Sequence, residues 1–450
     1  MVIILGCCIV FITMKPKQSL IPIWLLCAAM LQAATLQAAT TVTNIAAGAY
    51  FSLFLETDSN LWVMGFNSNS AVRPEQLVSN GVVAIAAGFT HILFLKSDGS
   101  LWGMGNNLSG QLGVGPSEVP APEEIVSNGV IAIAAGSDDS LFLKSNGSLW
   151  AMGLTTTNGP EQIVSNGVVA ISGGLAHTLF IESDGSLWGM GINSFGQLGN
   201  GTTDDLDRPQ EIVASNVVAI AAGGAHSLFV ETNGSLWAMG LNQDGQLGDG
   251  TTNNASRPEQ IVSNGVVAVA AGLYHSLFLK SDGSLWAMGL NGWGQLGDGT
   301  SGYMNYTNRP EKIIPSGVVA VAAGNDHSLL RKSDGSLWGM GASYGGQLGD
   351  GFTNRLSWIS SLPEKIVPSP QPVFTSAIIL PNNNLQLSAT CFFGGNYLTL
   401  AGTNLSQSLE QWMLVGTNSV TMRGTNNFIA TLTNVVNSGA APQFYLLQSQ

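Results

Sequence analysis

The 450-residue chain is poor in charge, in cysteine and in histidine. Lys, Arg, Asp and Glu make up 10% of it, against about 25% in a typical soluble domain. So few charges beside 45% hydrophobic residues exclude a disordered acidic chain. Basic residues are the scarcer sign, 15 against 28 acidic, for a net charge of −13. Such a surface repels phosphate backbones and anionic lipid, so no nucleic-acid partner is expected. Of four cysteines, Cys7, Cys8 and Cys27 precede residue 41, and only Cys391 lies beyond it, which leaves no internal disulfide there. No apolar run reaches the roughly 17 to 20 residues of a spanning helix, so no stable membrane span is expected. The P-loop, the dinucleotide glycine fingerprint, zinc-ligand spacing and H-E-x-x-H are missing too, so neither a cofactor nor a metal is expected.

Residues 1–40 contain no acidic residue. Lys15 and Lys17 precede an apolar run at 20–31 that ends in the Ala-rich LQAATLQAAT, the layout of a secretory signal peptide cleaved near Ala38 or Ala39. A start at Met14 gives that signal the positive beginning which MVIILGCCIVFIT does not supply. The expectation is bacterial export to the medium or the cell surface, with a net charge of −15 once both lysines are removed.

What the chain has in abundance is glycine, 56 residues, of which 49 lie between 41 and 366. The same stretch is self-similar. Its clearest marker, LW-x-MG, places tryptophans at Trp62, Trp102, Trp150, Trp188, Trp237, Trp286 and Trp338, at intervals of 38 to 52 residues. Propeller blades recur in this range. Each copy offers four strand-like pieces, here called a to d and exemplified by VVAVAAG, SLFLK, SLWAMG and PEKII. Asp-Gly or Asn-Gly joins b to c in six copies, for example at Asp282-Gly283, and supplies the positive φ of a two-residue hairpin. Ser-Asn-Gly recurs between d and the next a, for example at Ser263-Asn264-Gly265. A second hairpin there predicts blades ordered d-a-b-c, closed into a ring when the last d at 363–367 completes the first blade.

With LW-x-MG, GQLGDG and AAG-x-x-HSL, the sequence resembles the regulator of chromosome condensation repeat family, and the resemblance implies a seven-bladed β-propeller over residues 41–367. GQLG stands at Gln111, Gln197, Gln246, Gln295 and Gln347, while copies one and three have shortened connections instead. The family's founder is a nucleotide exchange factor on chromatin. Its secreted bacterial members include an inhibitor that covers a β-lactamase with one propeller face. Fold alone does not choose among such functions.

All five histidines, His91, His177, His226, His275 and His327, occupy one repeat position, where copies one and three carry Phe51 and Asp139. Spread around a ring they cannot converge on a metal, so they read as buried ties to a neighbouring strand. The Trp and Met series read as packing between blades. Residues that differ among copies are where function can reside. Between AAG and the histidine position these include Tyr50, Phe89, Asp138, Tyr274 and Asp326; in the c-to-d connections they include Phe195, Trp293, Tyr303, Tyr306, Tyr344 and Trp358. Exposed aromatics on loops of a rigid ring anchor a protein or glycan surface.

After a Pro-rich linker at 368–372, residues 373–450 alternate strand-like pieces with Asn- and Gly-rich turns, which predicts a small β-sandwich resembling immunoglobulin or fibronectin modules. The chain as a whole reads as all-β, a seven-bladed propeller followed by that sandwich. The expected function is a secreted, monomeric, non-enzymatic binding protein for an extracellular protein or glycan. The alternatives are a polysaccharide hydrolase or lyase at the propeller mouth, with Asp138, Asp139 and Asp326 as its acids, and, last, a guanine nucleotide exchange factor.

Overall fold

The computed structural model describes residues 2–5, 8–11, 41–65, 71–114, 118–153, 159–349 and 359–366, together with strands between 373 and 449. The chain divides into two compact units, residues 39–366 and residues 1–38 with 367–450.

The first unit is a seven-bladed β-propeller of four-stranded antiparallel sheets. Blade five shows the plan: a is Val217–Ala222, b is His226–Glu231, c is Leu236–Gly240 and d is Ala255–Val262. Strand b is buried along almost its whole length in every blade. Strand c follows it through the expected tight turn. In register, Phe229 lies opposite Trp237 and the rings stack 6.1 Å apart. Six blades have this stack, and the seventh has Leu330 opposite Trp338. Each Trp indole N–H is bonded locally, Trp237 to the Ser235 hydroxyl at 3.0 Å and Trp62 to the Glu56 carboxylate at 2.9 Å. Packing runs between blades: Met104 and Trp102 of blade two lie against Leu53 and Leu55 of blade one.

The order within a blade corrects one expectation. Every sheet runs a-b-c-d, so the Ser-Asn-Gly turns link one blade to the next and close no hairpin. The last d, Ile359–Ile366, pairs with Leu337–Ala342 of its own blade and does not complete the first. A tight turn fixes chain direction but not the strand that the next segment pairs with. Strand c, with buried side chains on both faces, takes a neighbour on either side. Strand d, whose proline lacks an N–H, takes the outer edge.

Three repeated contacts close the ring instead. The amide of the first residue of a bonds the b–c turn of the preceding blade, as Val266 to the Gly234 carbonyl at 3.0 Å, and Val42 does the same to Gly335 at 3.1 Å. The AAG glycines line the central channel, a cavity of about 100 Å3. A Cβ on Gly88 would meet the His91 ring and the Gly136 carbonyl; one on Gly324 would meet His327 and Gly48, across the closing seam. Glycine is required there because ring and neighbouring backbone leave no space. The histidine tie is the third contact, described below.

Between 373 and 449 the described elements are strands in two sheets. Val373–Ile379, Leu385–Thr390 and Asn427–Leu432 pair in that order, and Asn396–Gly402 lies between Met413–Ser419 and Phe444–Ser449. Val2–Leu5 and Cys8–Phe11 form a hairpin that extends the second sheet at Phe444–Ser449. These pairings show strands where strands are expected, and no sandwich is shown by them. The apolar run at 20–31 and the linker at 368–372 lie outside the described residues.

Candidate binding face

In an antiparallel a-b-c-d blade the a–b turn and the c–d connection emerge at the same end. Both groups of copy-specific residues therefore belong to one face of the propeller.

The scaffold under that face is a hydrogen-bonded wedge between blades. In blade four the Asn193 side chain accepts from the Leu198 amide at 2.9 Å, and Gln197 Oε1 accepts from the Phe195 amide at 3.0 Å. This clamps Gly-Gln-Leu-Gly into a compact loop whose leucine is fully buried. The loop packs on the following blade, where a Cβ on Gly199 would collide with the Met239 sulfur. Ser227 of that following blade donates to the Gln197 backbone carbonyl at 2.7 Å. Since the hydroxyl hydrogen is committed there, Ser227 Oγ accepts from His177 Nε2–H at 2.9 Å, which fixes the neutral Nε2 tautomer and leaves Nδ1 unprotonated. The same His–Ser tie joins His91 to Ser140, His226 to Ser276, His275 to Ser328 and His327 to Ser52. Burial pushes these imidazoles down, His91 and His177 to about 4 and His226, His275 and His327 to about 3.

Copies one and three lack GQLG, and their seams depart from the pattern as a set. Between blades one and two, Phe51 and Ile92 replace histidine and serine; between blades three and four, Asp139 and Thr178 do. The wedge sequence, the histidine and the serine are thus replaced together at both seams. Asp139 is buried, with its carboxyl raised to about 7 by desolvation and then by the charge of Asp138. It lines a cavity of about 80 Å3 with His177 and Thr178. The seam between blades one and two opens into a larger cavity of about 470 Å3, walled by Tyr50, Phe51, Phe89, Met104, Val119 and Pro120.

On the face itself, four of the sequence-nominated residues form a continuous aromatic strip. The Trp293 ring lies 5.5 Å from Tyr344, Tyr344 lies 5.6 Å from Tyr50, and Tyr50 meets Phe89 edge-on at 5.8 Å. The strip thus links the c–d connections of blades six and seven to the a–b turns of blades one and two. Tyr50 is 41% and Trp293 37% exposed. Asp326 underpins it, accepting from the Tyr344 hydroxyl at 3.2 Å. Burial raises the Asp326 carboxyl, and it raises the Tyr344 phenol, reinforced by the neighbouring Asp326 charge. At its far end the strip runs into the 470 Å3 cavity, to which Tyr50 and Phe89 also belong.

The other nominated residues lie apart from this strip. Tyr274 sits in the a–b turn of blade six, where its carbonyl accepts from Leu290 N at 2.9 Å. Among the described residues no ring contact joins Phe195, Tyr303 or Tyr306 to the strip. Phe195 stands on the wedge of blade four, Tyr303 is almost fully exposed, and Tyr306 begins strand d of blade six. Trp358 lies outside the described residues. Asp138 and Asp139 belong to blade three and Asp326 to blade seven, so two blades separate them on the shorter way round. Among the described residues no three of His, Cys, Asp and Glu gather as metal ligands. The sequence reading missed Met104, Asn106, Leu108, Glu118 and Pro120 of the cavity. The joint loss of GQLG, histidine and serine at one seam was the signal that could have found them.

Comparison with known proteins agrees with the repeat pattern. Residues 155–401 match the profile described as the RCC1-like domain, and residues 82–111 and 98–143 match regulator of chromosome condensation (RCC1) repeats. No curated protein matches the chain. Among solved structures, yeast RCC1 (Prp20) bound to Kap60 is 22% identical with a TM-score of 0.62, over 73% of this chain and 84% of that one. Prp20p from Saccharomyces cerevisiae, in a study of its binding to Gsp1p and histones, is 22% identical with a TM-score of 0.60, over 73% of this chain and 87% of that one. Human WBSCR16 is 22% identical with a TM-score of 0.59, over 67% of this chain and 85% of that one. Likeness at this identity establishes the propeller and leaves the activity to the face.

Proposed function

Because the chain belongs to the family of RCC1-like domains, in which one ring serves many partners, we propose that it is a secreted bacterial, non-enzymatic binding protein. Its ligand is an extracellular protein or polysaccharide held on the face that carries Trp293, Tyr344, Tyr50 and Phe89. The observation that carries this reading is the aromatic strip: four copy-specific rings from four blades, each in contact with the next. Repeat architecture gives no reason for such a row, since its four rings break the repeat pattern and no second row of this kind occurs among the described residues. Large, stiff aromatic side chains with polar ends bury much area for little lost entropy, as binding anchors do.

Export is supported by Lys15, Lys17 and the apolar run that follows. The acidic balance favours partners other than nucleic acid. The separated carboxylates support a role without acid–base chemistry. Protein from culture-medium and cell-surface fractions, and polysaccharide beads, are offered to the wild type and to a Trp293→Ala/Tyr344→Ala variant. The expected result is capture that falls at least tenfold in the variant while its melting temperature is kept. Equal capture by both proteins, or glycan cleavage abolished by Asp139→Asn, overturns the reading.

A further inference from the structure

We propose that the end of the ring opposite the aromatic strip is a self-association surface, on which a second copy of the chain docks face to face about a two-fold axis, against the monomer expected from the sequence.

The surface begins with a feature repeated in every blade. Strand a starts at the end that carries the b–c turns, and its second residue is passed over in the pairing with b, a bulge present in all seven sheets. A bulge leaves that residue unpaired and re-aims its side chain. The residue is Val83, Ile131, Val169, Val218, Val267 or Val319, each 45–58% exposed, and Thr43 in blade one. Strand a is the innermost of each blade, and neighbouring a strands lie side by side around the channel. Six branched aliphatic side chains therefore crown the channel mouth in solvent, although Thr43 shows that a polar residue serves the bulge equally. Exposed apolar surface of this kind, rimmed by polar residues, marks an interaction site. The chain leaves the ring at Ile366, on an outermost strand, whereas the crown belongs to the innermost ones.

The charges around the crown select a second copy as its occupant. At the same end blade four carries Glu182, Asp184 and Glu211, while its one basic residue, Arg208, starts strand d at the other end. Burial, and then the charges of Asp184 and Glu211, raise the Glu182 carboxyl. Blade five carries Glu231. Blade six instead carries Lys280 and Lys312, over the Trp286 ring at 4.8 and 5.5 Å. Blade seven carries Lys332, over Trp338 at 3.6 Å, together with Lys365. Two copies of one ring that meet face to face run in opposite directions. An axis through blade two then sets blade four on blade seven, five on six, and one on three. Equivalent repeat positions come opposite each other: Glu182 meets Lys332, Glu211 meets Lys365 and Glu231 meets Lys280, each twice, as a two-fold interface requires. Blade one, with Asp58 in its turn, falls on blade three with Lys144. A surface of one sign would suit a charged polymer, but acidic and basic blades that interchange under one axis suit the same surface in a second copy. An apolar centre inside a charged rim is the anatomy of a protein interface.

The test is sedimentation equilibrium of the full-length protein over a series of concentrations, with the melting temperature of each variant as the check on folding. The wild type is expected to form dimers and nothing larger, because a two-fold interface is closed. Val218→Asp/Val267→Asp puts carboxylates into the apolar centre and weakens the dimer at least about a hundredfold. Glu182→Lys alone and Lys332→Glu alone each set like charges opposite one another and weaken it at least about tenfold. The two exchanges together, Glu182→Lys/Lys332→Glu, return the affinity to within about threefold of wild type. That restoration keeps the test decisive should the aspartate variant not fold. Trp293→Ala/Tyr344→Ala dimerises as the wild type does, which separates this surface from the binding face. A monomer at every concentration, open assemblies larger than a dimer, a dimer indifferent to folded Val218→Asp/Val267→Asp, or a double exchange that stays weak overturns the proposal.

Discussion

At the scale of single residues, the histidine position decides how each seam is held. In blades five and six, Ser276 donates to the Gln246 carbonyl at 2.7 Å and accepts from His226. Replacing His226 by Phe, the residue copy one uses, leaves the Ser276 bond intact and is expected to cost about 1 kcal/mol. Ser276→Ala orphans a buried carbonyl and an imidazole N–H together, and is expected to cost about 2–4 kcal/mol. Urea unfolding of the two variants checks the order; a larger loss in His226→Phe contradicts the chain of bonds.

The same groups set the pH response. The five imidazoles, lowered to about 4 or about 3 by burial, stay neutral in the fold but gain protons in the unfolded chain below about pH 6.5. Their stabilisation is complete above that pH and is lost as pH falls toward 4 and 3. Asp139 acts in the opposite sense. With its carboxyl raised to about 7, it favours folding below the unfolded value of about 3.9 and loses that contribution as pH rises through 7. Asp139→Asn is therefore expected to add about 2 kcal/mol at pH 8 and little at pH 4. Melting curves from pH 4 to 8 test this. A wild type equally stable at pH 4.5 and 6.5, or a variant stabilised only in acid, contradicts the assignment.

At the scale of elements, strands a to d and the b–c hairpins are legible in the sequence because their signals are local: short runs rich in Val, Ile, Leu or Trp, bounded by turn residues such as Asp-Gly or Asn-Gly. Which strand pairs with d is not, since an Asn-Gly reversal looks alike within a blade and between blades. Deleting 359–366 separates the two topologies. In the a-b-c-d order, amides of Leu337–Ala342 lose hydrogen-exchange protection while Val42–Ala47 and Phe51–Glu56 keep theirs. Exposure of blade one with blade seven protected would restore the d-a-b-c order.

At the scale of the whole molecule, the ring gathers residues that are nearly 300 positions apart. Sequence comparison among the copies nominated Tyr50, Phe89, Trp293 and Tyr344 one by one, because each breaks a repeat. Their contact was not legible, since it requires blade seven to lie beside blade one, and the closing contacts, Val42 to Gly335 and His327 to Ser52, carry no local signal. The glycine excess belongs to this scale too, as a copied turn and channel scaffold.

The claim that this face is the binding surface is tested most directly by the equilibrium affinity of the captured partner for three proteins: wild type, Tyr50→Ala/Trp293→Ala, and Asp58→Ala in the exposed b–c turn at the opposite end of blade one. The account predicts a loss of at least tenfold for the double aromatic variant and none for Asp58→Ala. Unchanged affinity in the aromatic variant, or a loss confined to Asp58→Ala, would place the partner on the other face and contradict it.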